Sequence, residues 1–160
     1  MTQNKEVFYQ RTELDYSLNA LEPYLSEEIM NDHYNGNHKA YEENLNLILA
    51  SLEENTKASI KKNFPFLNQF LQNIEKLPVS SRVKAGIRFY GGGLINHNLF
   101  FNHLAPQNIP QSEKEVNERV GKSFLQELQN SGFGGLDGLK KELISTAASN
   151  LIGDTFCGSY

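Results

Sequence analysis

The side chains best suited to chemistry lie in two short stretches. His33-Tyr34-Asn35-Gly36-Asn37-His38-Lys39-Ala40-Tyr41 holds two of the four histidines. Gly91-Gly92-Gly93-Leu94-Ile95-Asn96-His97-Asn98-Leu99-Phe100-Phe101-Asn102-His103-Leu104-Ala105-Pro106 holds the other two. A neutral imidazole is a common metal ligand, and facing helices are a normal place to assemble such ligands. The plainer alternative is a core helix with incidental histidines in the second stretch and a solvent-facing polar stripe in the first. The glycine triplet is costly for either reading. Each glycine inside a helix costs about 1 kcal/mol relative to alanine, so a close approach by another segment or a ligand is expected there.

Two long helices must carry these stretches. The first is expected to start at Ser26, whose hydroxyl can cap the opening turn, with Glu27 and Glu28 at the positive end of the dipole. Ile29, His33, Asn37, Tyr41, Leu45, Ile48 and Leu52 recur at helical steps, and the helix is expected to run over 26–54. Asn35-Gly36 predicts a kink or bulge within it. The second helix is expected over 82–104, capped by Ser80 or Ser81 and stopped by Pro106. Val83, Ile87, Tyr90, Leu94, His97, Phe101 and Leu104 form its inward stripe. The two together predict an antiparallel hairpin presenting His33 and His97 inward.

The rest of the chain is read as supporting structure. Residues 1–25 form an irregular polar lead-in, and 55–63 a solvated connector. Phe64 to Leu77 reads as one short apolar helix ended by Pro78. Ser112 with Glu115 forms a capping box ahead of Val116, Val120, Phe124 and Leu128, a helix ended by Gly132. Leu139, Leu143, Ala147 and Leu151 mark a last helix. No segment alternates as a half-buried strand does, so the fold class is all-α. The 160 residues suffice for a real core, with 39% hydrophobic and 21% charged side chains. A net charge of −4 without a basic cluster argues against nucleic acid as the main partner. No run is long and apolar enough for a transmembrane span. The single cysteine, Cys157, excludes an internal disulfide.

The second stretch resembles the second metal-binding helix of iron/manganese superoxide dismutases, which reads roughly G-G-G-H-x-N-H-x-x-F-W-x-x-L-x-P. Gly91, Gly92, Gly93, Asn96, His97, Phe100, Leu104 and Pro106 match, whereas Leu94 replaces a histidine and Phe101 a tryptophan. The first stretch resembles the family's H-[HY]-x-x-H-H-x-x-Y, with Asn37 in place of a histidine. Leu18-Asn19-Ala20-Leu21-Glu22-Pro23-Tyr24-Leu25 is similar to the family's entry segment. The resemblance implies a hairpin domain over 1–106 and a truncated remnant of the C-terminal domain over 107–160. It implies iron or manganese as the cofactor, if any is bound. His33 and His97 would be metal ligands, and His38 and Tyr41 would sit in the catalytic region, Tyr41 as the gate to substrate.

The family completes its site with an aspartate and a histidine in a D-x-W-E-H-A-Y motif. Asp154-Thr155-Phe156-Cys157-Gly158-Ser159-Tyr160 can be laid over that motif, which makes Asp154 a candidate metal ligand and puts Gly158 at the histidine. A frayed tail is the plain alternative. The solvent-ordering glutamine is missing as well, Gly93 standing at the position that iron-type members use. The changes at Asn37, Leu94 and Phe101 favour a structural or interaction subunit of a larger assembly, for which the resemblance suggests the mitochondrion and otherwise the cytoplasm. The alternative is an active iron/manganese superoxide dismutase whose missing ligands come from another chain or a longer form. The expected partners are other proteins, covering Leu94, Phe100, Phe101 and the Leu139–Leu151 stripe, or a second copy of the chain.

Overall fold

The structure, a computed structural model, describes residues 6–106 and 120–150. These belong to two compact units, one within Met1–Gln107 and the other within Asn108–Phe156. The described residues contain helices and no strand. The capping box at Ser112 and Glu115, Val116, Leu151, Asp154 and Gly158 lie outside them.

The first long helix is one continuous rod in three parts: α1 (Glu27–Asn31), a π-helical segment (Asp32–His38) and α2 (Lys39–Ala50). The Ser26 hydroxyl accepts from the Ile29 amide at 3.3 Å and starts it. The π segment contains Asn35-Gly36, where the sequence predicts a bulge. Its wider turn adds a residue to one turn and moves the inward stripe. Met30 is buried while Ile29 is 54% exposed, and His38 is buried while Asn37 faces out. The stripe therefore runs Met30, His33, His38, Tyr41, Leu45 and Leu49, with a five-residue step where the predicted one had four.

The second rod is α5 (Ser81–His103), capped by Ser80, whose hydroxyl accepts from the Val83 amide at 3.3 Å. Its buried positions include Ile87, Leu94, His97 and Phe101, on the predicted stripe. Contacts pair His33 with Phe100, Tyr41 with Gly93 and Ile48 with Gly86, so the rods run antiparallel. Between them in sequence come α3 (Glu54–Asn63), α4 (Leu67–Gln72) and a 3₁₀ turn at Ile74–Lys76.

The helix boundaries differ from the sequence expectations at three places. The first helix ends at Ala50 rather than near residue 54. The expected connector over 55–63 is helical, because Ile60 anchors it in the core and Lys57 pairs with Glu54 at 2.6 Å. One buried residue in the turn-rich polar run left no periodicity to read. Phe64 to Leu77 is a six-residue helix followed by a 3₁₀ turn rather than one helix.

Two apolar clusters fill this unit. Leu45, Leu49, Ile60, Phe70, Ile74, Ile87 and Leu94 lie in one, with Tyr41 packed against it. Leu21, Met30 and Phe101 form the other, with Leu14, Tyr16, Tyr34 and Phe100 against it. Leu94 and Phe101 are thus covered by the chain's own residues, contrary to the expectation that a partner covers them. Asn46 fixes the lead-in segment to α2 with three hydrogen bonds and makes a fourth within α2 itself. Its carboxamide oxygen accepts from the Phe8 and Tyr9 amides at 2.7 and 3.1 Å. Its nitrogen donates to the Tyr9 and Glu42 carbonyls at 2.7 and 2.9 Å.

The second unit comprises α6 (Lys122–Asn130) and α7 (Leu136–Asn150). Gly132, at φ +84°, ends α6 as predicted. The Gly132 amide donates to the Gln129 carbonyl and the Phe133 amide to the Leu128 carbonyl, a pairing that satisfies the last turn. Leu128 is buried, while Leu143 is 61% exposed.

Candidate metal centre

The π segment brings His33 and His38 to the same side of the first rod, although they lie five positions apart. A regular α-helix would turn one of them away. Opposite them, α5 supplies His97. The His33 and His97 ring centroids lie 4.8 Å apart and nearly perpendicular. The His38 ring stacks at 5.5 Å from His97 and at 5.2 Å from Phe101. Tyr41 lies 4.9 Å from His97. His103, the fourth histidine, is exposed and its Nδ1 donates to the Leu99 carbonyl, so it stands apart from this group.

The bare backbone that the glycine triplet predicts has a specific use. A Cβ on Gly93 would overlap the Tyr41 ring, and one on Gly91 would come within 2.9 Å of Leu71. Gly92 meets nothing within 4 Å. Two of the three glycines therefore serve close packing, and Gly93 lets Tyr41 settle beside His97.

Hydrogen bonds set the protonation of two rings. The Gly93 carbonyl can only accept, so His97 Nδ1 donates to it at 2.8 Å and the lone pair of the neutral ring falls on Nε2. His38 Nε2 lies 2.8 Å from Asn98 Oδ1. His38 Nδ1 is buried without a hydrogen-bond partner. Burial pushes all three imidazoles towards the neutral form. His38 falls to about 4, mainly by desolvation, with the Asn98 hydrogen bond acting the other way. His33 is lowered by desolvation and by His97, and His97 by desolvation against the Gly93 hydrogen bond. Neutral imidazoles are the form that donates a lone pair to a metal.

Among the described residues, no three histidine, cysteine or carboxylate side chains are grouped so as to hold a metal. The donor chemistry of His33 and His97 suits a first-row transition metal, and iron or manganese favours a carboxylate in addition. The pair therefore fits half of such a site. Sequence reasoning missed Asn98, Thr12 and Asn46. Asparagines on helices give no periodic signal, and their partners lie far away in sequence.

Comparison with known proteins decides the family. The profile of the iron/manganese superoxide dismutase α-hairpin domain matches residues 8–105. The chain belongs to the iron/manganese superoxide dismutase family. It is 35% identical over 136 residues to the mitochondrial manganese superoxide dismutase of Cryptococcus neoformans var. grubii, covering 85% of this chain and 51% of that protein. The manganese superoxide dismutase of Chlamydia muridarum is 33% identical over 141 residues, covering 88% of this chain and 58% of that one. The mitochondrial manganese enzyme of Aspergillus fumigatus is 34% identical over 149 residues, with 81% and 63% covered. The chain spans about half the length of the curated relatives it matches. The helical hairpin of the family accounts for the two rods, and no described helix is long and apolar enough to cross a membrane.

Proposed function

We propose that this hairpin supplies His33 and His97 as two ligands of an iron or manganese centre of the superoxide dismutase type. The remaining donors come from outside the described residues, with Asp154 the chain's own candidate and another chain the alternative source. The observation carrying this reading is the facing, neutral His33–His97 pair on two rigid rods, one ring held by a backbone carbonyl. A bound iron or manganese ion would supply the one-electron chemistry that disproportionates superoxide. Tyr41 would line the approach beside His97, and His38 would hold its neighbours in place. The mitochondrial relatives support a mitochondrial location.

A second reading, a structural subunit of a protein assembly or of a homodimer, draws on a different observation. Ile29, Leu47, Phe66, Phe89 and Leu99 are each 50% or more exposed in the hairpin unit. Metal analysis of the purified full chain, combined with a superoxide assay, separates the readings. The metal reading expects iron or manganese bound through His33 and His97, with dismutation once the donor set is complete. The structural reading expects neither metal nor activity when the site is supplied with both metals, together with a stable oligomer or complex across a dilution series.

A further inference from the structure

Asn98 joins α5 to the lead-in segment and to the first rod. Its Oδ1 accepts the backbone amide of Thr12 at 2.8 Å and lies 2.8 Å from His38 Nε2, and its Nδ2 reaches the Gln10 carbonyl at 3.5 Å. A backbone N–H can only donate, so the Thr12 contact fixes which end of the carboxamide faces inward. With the oxygen there, His38 Nε2 must carry its proton. The lone pair of the neutral ring then falls on Nδ1, the atom that is buried with no partner. His38 in turn stacks on His97.

The lead-in segment takes part in the same arrangement. Thr12 donates its hydroxyl to Asn102 at 2.6 Å, and Tyr34 donates to the Thr12 carbonyl at 2.9 Å. Arg11 donates to the Tyr34 carbonyl at 2.7 Å and lies over the Tyr34 ring. Residues 10–12 therefore cross both rods beside His38, and Asn98 is the side chain that joins them to an imidazole.

We infer that Asn98 is a positioning residue for the candidate metal centre: it locks His38 in the Nε2–H tautomer and, through the stacked His38 ring, holds His97 in its Gly93-bonded orientation. The functional part of this inference rests on the half-site reading above. The tautomer part stands without it. The Asn98 side chain meets the Nε2 atom of His38, whose ring stacks on His97, so it acts through His38.

The test is long-range imidazole ¹H–¹⁵N spectroscopy on the full chain near neutral pH. Wild-type protein is expected to show His38 protonated at Nε2 and His97 protonated at Nδ1, each as a single tautomer. In Asn98→Ala the two His38 nitrogens should move to averaged, intermediate shifts, and the His97 Nδ1–H resonance should broaden. Asn98→Asp keeps an acceptor for both donors and should restore the proton on His38 Nε2 and the sharp His97 resonance. A wild-type His38 protonated at Nδ1 would overturn the inference even if Asn98→Ala fails to fold. So would an Asn98→Ala protein that keeps both wild-type signatures, or an Asn98→Asp protein that loses them. Titration of wild-type protein with cobalt(II), which binds nitrogen donors more tightly than manganese(II), tests the half-site separately. Binding in which His33 and His97 do not shift together, or no binding, would remove that reading and leave the tautomer result intact.

Discussion

The ring of Tyr41 lies against the bare backbone of Gly93, in the space a side chain at that position would fill. Gly93→Ala should therefore push Tyr41 away from His97 and destabilise the hairpin by about 1–3 kcal/mol, the usual cost of overpacking. Gly92→Ala is the matched control. Nothing lies within 4 Å of its added carbon, so it should be neutral or stabilising by up to about 1 kcal/mol through helix propensity. Urea unfolding of the two variants checks the contrast. Equal effects would show that the triplet matters for the helix alone and not for Tyr41.

Removing the three hydrogen bonds from Asn46 to Phe8 and Tyr9 should release the lead-in segment. Asn46→Ala leaves the half-buried amide of Phe8 and the buried amide of Tyr9 without their acceptor, at about 1–3 kcal/mol for each such group that stays dry. A total loss of roughly 2–4 kcal/mol is expected, less if water enters. Amide exchange at Phe8 and Tyr9 should accelerate more than exchange at Ile87 in the core. Uniform acceleration would mean global unfolding rather than release of the segment.

The metal-free protein should lose stability in mild acid. His38 has a folded pKa of about 4, below the 6.5 of an unperturbed imidazole. A depressed value means that the unfolded chain takes up the proton first. The stabilisation is then fully present above pH 6.5 and is lost as pH falls towards 4. The loss from this one group is up to about 3 kcal/mol at the lower end, and His33 and His97 act in the same direction. Urea midpoints between pH 7 and pH 4 should fall. His38→Gln should have a flatter profile over this range, and an unchanged slope would contradict the assignment.

Much of the fold was legible because apolar spacing on α5 is regular. Ile87, Leu94, His97 and Phe101 are buried on the predicted stripe. Ser26 and Ser80 cap the rods because a short hydroxyl side chain before a helix has few other uses. The register of the first rod was legible only in part. Asn35-Gly36 signalled an irregularity, but not that the π turn would bury His38 and turn Asn37 outwards. The glycine triplet announced a close approach without naming Tyr41 and Leu71 as the groups that need it. Asn46 and Asn98 were silent, since each bonds to a segment whose path is set by tertiary packing rather than by local pattern.

If His33 and His97 donate to one metal ion, a single ion must perturb both rings at once. Cobalt(II) is a suitable probe, because it binds nitrogen donors more tightly than manganese(II) or iron(II) and shifts the resonances of the imidazoles it touches. The full chain should be titrated with cobalt(II) while the histidine resonances are followed. His33 and His97 should shift together in one saturable step, and His33→Ala and His97→Ala should each abolish it. Cobalt(II) that shifts one histidine without the other, or binding that survives either substitution unchanged, would contradict it.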